Sequence, residues 1–313
     1  MTPSVQRSLF PEAFEIQEQA FAALDELDLG GALALVVEAR ERDPLLVNLE
    51  PLAAAITWLQ RELGAEPASD ELLAALYLTV PEACRSGAIE RAAAALVDLV
   101  IARQGLRRAA ARAFLDREER VHLGALLLVL RRDSEALALL RESITHGHDE
   151  RADLWACCAD ALVAAGRLDE ANAAYVRALL LSAQEVDLFR LRHGALAALH
   201  DELSLQHPAA DARELLLVHA WLAGQLTIPA ENAWLDRHLS RLHLAAAARP
   251  DSPPAQRFRR FALLLYLDRS RPPGHCDESE REEMQGLAPE LFARVVQRIG
   301  ALELRPTPPL RWC

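Results

Sequence analysis

Lysine is absent from this 313-residue chain: all 34 basic residues are arginine. Schiff-base lysines, phosphate-loop lysines and lysine general bases are therefore excluded from its chemistry. Aromatic residues make up only 5% of the sequence and methionine appears twice, so the interior must be built from small and aliphatic side chains. The cysteines, Cys84, Cys157, Cys158, Cys276 and Cys313, are odd in number and show no CxxC spacing. Neither a disulfide framework nor a zinc knuckle is indicated, and a reducing compartment fits. The longest uncharged apolar run lies around Leu123 to Leu130, far short of the roughly 20 residues that span a bilayer. The first residues lack the charged-then-apolar pattern of a secretory signal, so a cytoplasmic protein with no membrane partner is expected.

What is present is alanine and leucine, 58 of each, in a chain that is 51% hydrophobic. Two strong helix formers at this density, with few β-branched and aromatic residues beside them, predict an all-α protein. Acidic residues number 46, for a formal charge of -12, so the surface as a whole repels phosphate backbones and anionic lipid.

Apolar residues at Phe14, Phe21, Leu24 and Leu27 mark one helical face, and Asp28 to Gly31 break it. A second helix runs to Arg42, where Asp43 and Pro44 stop it because proline cannot continue the ladder. Further helices are expected over about 50–63 and 87–103. Between Arg117 and His207, helix pairs recur at 35 residues, a solenoid period. Gly124, Ala159 and Gly194 fall at one small-residue position of that register, where a second helix would cross closely. Ala136 matches Ala171, Leu140 matches Tyr175, and Ala165 with Gly166 forms a turn. Beyond His207 the period is lost, but helices continue over about 208–222, 229–248 and 253–269, all three opened by proline, and a last one covers about 289–304.

These residues resemble the tetratricopeptide repeat. Trp155 stands at the family's tryptophan position, Ala159 replaces its first glycine, Leu162 its tyrosine, and Ala171, Tyr175 and Ala178 match the second helix. The unit from Arg117 matches at Leu123, Gly124, Leu127 and Ala136, and a third from Asp187 matches Gly194 before departing. The resemblance implies an α-solenoid of about 14 to 16 helices stacked as antiparallel hairpins. The expected divisions are N-terminal hairpins over 1–115, repeats over 116–207, non-repetitive helices over 208–304 and an extended tail over 305–313.

The same resemblance implies a concave groove lined by first helices that holds a partner helix or peptide. Its residues would be Phe14, Phe21 and Leu24, then Val121, Ala125, Leu128 and Val129, then Asp153, Ala156, Asp160 and Val163, and finally Leu188, Leu191, Ala195 and Leu199. Mostly apolar, such a groove suits an amphipathic helix, unless the chain's own later helices fill it. The expected function is a non-enzymatic interaction module: an adaptor, assembly factor or chaperone-like subunit of a bacterial cytoplasmic complex.

Two alternatives stay open, an RNA-binding helical repeat and an enzyme with a dispersed site. The first would use Arg103, Arg107, Arg108, Arg112, Arg117 and Arg120 within Arg103–Arg132, a basic stretch opposed to the chain's overall sign. No tyrosine or tryptophan interleaves it, which argues for a solvated face over nucleic acid. His146 with His148, His238 with His243, and His275 with Cys276 lack zinc-site spacing, and no nucleophile elbow, phosphate loop or dinucleotide fingerprint occurs. No catalytic residue, metal or cofactor is therefore expected. Cys157 and Cys158 read as small packing residues on a repeat helix, and the acidic run from Asp277 to Glu283 as a helix start. In the tail, Leu310 and Trp312 are expected to dock on a protein surface, the chain's own or a partner's.

Overall fold

A computed structural model describes residues 11–46, 49–63, 74, 77, 113–115, 119–230, 233–272, 275 and 277–303. Among the described residues there are 13 α-helices and no strand, with one isolated bridge pairing Phe114 and His122. Contacts divide the chain into two compact units, 1–132 and 133–313. The expected helix over 87–103 and the tail from 305 lie outside the described residues.

The first unit opens with α1 (Pro11–Asp25), α2 (Leu29–Arg42) and α3 (Leu49–Leu63), each packed on the next. Ala13, Gln17, Ala20 and Leu24 recur at three- and four-residue spacing and form the buried stripe of α1; Leu29, Ala32, Val36 and Ala39 do the same for α2. Asp28 caps α2 by accepting the Gly31 N–H at 2.9 Å, and a Cβ at Gly31 would collide with that carboxylate. The cap therefore accounts for the glycine.

α4 (Leu123–Val129) follows a loop in which the Leu115 N–H donates to the Val121 carbonyl at 2.8 Å. His122 Nδ1 accepts the Gly124 N–H at 3.0 Å, so the imidazole starts the helix beside the glycine, not a turn earlier. Val121 accordingly sits in extended chain before the helix. Gly194 likewise opens a helix of the second unit directly after a histidine cap, His193, whose Nδ1 accepts the Leu196 N–H, whereas Ala159 lies mid-helix. Three residues in one sequence register thus occupy two kinds of structural position. Glycine, the poorer helix former, stands at the helix ends.

The second unit runs α5 (Asp133–Ser143), α6 (Ala152–Ala164), α7 (Leu168–Ser182), α8 (Gly194–Gln206), α9 (Ala209–Ala223), α10 (Ala233–Ala245), α11 (Pro254–Ser270), α12 (Glu278–Leu287) and α13 (Pro289–Glu303). α6 and α7 form the antiparallel hairpin expected from the sequence, turning at Gly166 with φ +71°. α5 packs on α6 and α8 on α9, while α9 lies against α7, α11 and α13. Leu215 to Val218 of α9 and Phe261 to Asp268 of α11 are buried on every side, the mark of helices inside a core.

Arginine forks close this unit. Arg213 of α9 donates to the carbonyls of Ala183, Gln184 and Val186, and Arg259 of α11 to that of Leu181 at 2.6 Å. The last carbonyls of α7 and the chain beyond them thereby gain donors, and the positive charge meets the negative helix end. Asn172 of α7 pins the chain between α9 and α10, donating to the Thr227 carbonyl at 2.7 Å and accepting its N–H at 2.8 Å. Replacing Asn172 by Ala orphans both Thr227 groups and is expected to cost about 2–4 kcal/mol in urea unfolding. A loss well below 1 kcal/mol would show that water replaces the amide without penalty.

Candidate functional site

Where α5 ends, the helix loosens into a wide turn over Ile144–His148, with Gly147 at φ +114°, a backbone geometry that side chains disfavour. The turn is tied to α6 by Trp155, whose indole N–H donates to the Asp149 carbonyl at 2.8 Å. Trp234, in the first turn of α10, meets Trp155 edge to face, with ring centroids 6.3 Å apart and planes at 79°. One turn later His238 stacks beside Trp234 at 4.9 Å, and its Nε2 lies 3.1 Å from Asp149 Oδ2. Arg237 is 3.4 Å from the same oxygen and Arg241 pairs with Glu150, so α10 is anchored by charge to the 144–150 segment.

Arg177 of α7 enters between the indoles. Its guanidinium carbon lies 4.7 Å from the Trp155 centroid and 5.5 Å from that of Trp234. No carboxylate among the described residues pairs with it, and its Nε is buried without an acceptor. Burial weakens its hold on the proton, with Tyr266 and Cys158 near enough to oppose the shift and Arg237 to add to it. Arg177, Arg237, both indoles, Asp149 and the 144–147 turn surround an open cavity of about 540 Å³, a size that accommodates small organic groups.

The residues expected to line a groove fall in both units. In the first, Phe14 is 49% exposed, Phe21 and Val129 are half-buried, and Leu24, Val121, Ala125 and Leu128 are buried. In the second, Ala156 and Leu188 are buried, and Val163, Leu191, Ala195 and Leu199 are half-buried. Asp153 is half-buried and held by Arg151, whose Nε and Nη2 reach its carboxylate at 3.0 and 2.6 Å.

Asp160 is 5% exposed and turned inward: it accepts the Tyr175 hydroxyl and, at 3.0 Å, the Arg192 N–H. Burial pushes its carboxyl up to about 6 against the favourable pull of those bonds. Cys158 is buried and its thiol is pushed up to about 11, mainly by burial, which makes it a poor nucleophile.

Arg103, Arg107, Arg108, Arg112 and Arg117 lie outside the described residues, as do Leu310 and Trp312; Arg120 is exposed. Among the described residues no three of His, Cys, Asp and Glu converge as a metal site, and no helix is long and apolar enough to cross a membrane.

Sequence reading singled out Trp155 for its repeat position, but not Asp149, Arg177, Trp234 or Arg237 as partners in one site. Two signals were present. Arg177 interrupts an otherwise apolar run from Ala173 to Leu181, and Trp234 is one of five tryptophans in an aromatic-poor chain. No family model, curated protein or solved structure matches this chain.

Proposed function

We propose that this protein is a non-enzymatic interaction module, a tetratricopeptide-like helical repeat that holds a segment of a partner protein as an adaptor, assembly factor or chaperone-like subunit of a bacterial cytoplasmic complex. The observation that carries the reading is the pocket of the second unit, where tryptophan and arginine face an open cavity. These two residue types dominate binding energy at protein interfaces, because each offers a large rigid face with polar edges. Asp149, the one carboxylate of the pocket among the described residues, is held by His238 and Arg237, an arrangement suited to positioning more than to proton transfer. Phe14 on α1 offers a second apolar contact, in the manner expected of a first-helix face.

The test compares the whole protein with its Arg237→Glu variant as bait in native-host extract, with bound proteins identified by mass spectrometry. Arg237 is 65% exposed, so the change leaves the helical circular dichroism intact. A specific partner should be retained about tenfold less by the variant, a loss of about 1.4 kcal/mol. Equal retention of every protein by both baits, or salt-sensitive retention of RNA in their place, overturns the reading.

A further inference from the structure

We infer that the cavity between α6, α7 and α10 is a carboxylate-binding site in which Arg177 is the anion receptor, and that it takes an acidic side chain flanked by apolar groups on the partner segment. The inference rests on the interaction-module reading and names the chemistry of what is held. Three observations support it.

The first is charge. Among the described residues Asp149 is the one carboxylate at the cavity and already faces Arg237 and His238, so within that set the positive charge of Arg177 is left over and matches a monoanion better than a phosphate dianion. The second is geometry. The guanidinium carbon lies over both indoles, whose planes stand at 79°, and the group lines the cavity with no carboxylate among the described residues on its N–H edge. A planar carboxylate meets such an edge with two parallel hydrogen bonds. The third is the wall of the cavity, where Ile144, Ala233 and the two indoles surround the charge with apolar surface. An occupant with an apolar body beside its carboxylate removes that surface from water while pairing the charge.

Other arginines of the second unit are spent on the fold: Arg213 and Arg259 on carbonyls, Arg260 on Glu283, Arg271 on Glu280 and Arg281 on Asp268. Arg177 lines the cavity and has no carboxylate or carbonyl partner among the described residues.

Isothermal titration of the whole protein with 3-phenylpropionate, with its neutral amide, and with a capped heptapeptide carrying one glutamate among leucines tests the site. Arg177→Met keeps an unbranched side chain between the indoles and removes the charge. Arg237→Gln, at an exposed position, serves as the second variant should the first misfold. Both carboxylates are expected to bind wild type about 10- to 100-fold more tightly than the amide does, the factor of a charge-assisted hydrogen bond, and to lose that advantage in Arg177→Met. Binding of the free carboxylate without the peptide upholds the site and contradicts its use for a protein segment. Equal binding of acid and amide, or unchanged carboxylate binding by Arg177→Met, overturns the inference.

Discussion

Replacing Asp268 by Ala is expected to lower the unfolding free energy of the second unit by about 3–5 kcal/mol, the cost of breaking a buried ion pair from one side. The Asp268 side chain is 0% exposed, and Arg281 of α12 reaches it from Nε at 2.8 Å. Arg269 lies 3.1 Å from the other oxygen. One carboxylate thus joins α11 to α12 and balances two guanidinium groups that are only a third and a quarter exposed. Removing it leaves both cations partly desolvated and opens a gap beside the core. Asp268→Asn, which keeps the shape and one acceptor, should lose less than the alanine variant. Urea unfolding with an unchanged m-value measures both, and a loss under about 1 kcal/mol for the alanine variant would show that water rescues the arginines.

Raising the pH from about 4 to 7 should destabilise the second unit by about 3 kcal/mol through Asp160 alone. In the folded chain its carboxyl is pushed up to about 6, from an ordinary value of 3.8. Below 3.8 both states are protonated. Between the two values the folded state keeps the proton and the unfolded state has released it, so each rise in pH favours unfolding until the folded carboxyl has also ionised. Glu214, raised by burial, acts in the same direction. Glu170 and Asp277, lowered by hydrogen bonds, act in the opposite one from exposed positions. The difference between wild type and Asp160→Asn isolates the buried carboxyl: the wild type should lose stability relative to the variant across this window. Parallel stability profiles for the two proteins would show that Asp160 is not the buried titrating group.

What the sequence could and could not reveal follows from the range of each signal. The hairpin of α6 and α7 was readable because Trp155, Ala159, Leu162, Gly166, Ala171 and Tyr175 carry their meaning by spacing along one local stretch. Pro208, Pro253 and Pro289 likewise place the starts of α9, α11 and α13 within a residue, since proline acts on its own backbone. The imidazole caps at His122 and His193 were hidden, because histidine is not a usual cap and the repeat register put a helix through both positions. Asp160 sits where the register expects a groove, but its burial is set by Tyr175 on the next helix and the Arg192 N–H beyond it. The pocket was hidden for the same reason. Trp234 comes from a helix outside the repeat, and only folding brings it against Arg177.

If Arg177 serves a ligand more than the fold, its removal should leave the protein no less stable, and the melting temperature of Arg177→Met without ligand measures this. A partly desolvated guanidinium with no carboxylate beside it among the described residues contributes little to stability beyond its contacts with the indoles, and methionine offers those rings a favourable sulfur contact in its place. The variant should melt at or above the wild-type temperature and should lose the rise that 3-phenylpropionate gives the wild-type protein. A melting temperature several degrees lower would mean that Arg177 is a structural residue, and would contradict a role in holding a ligand.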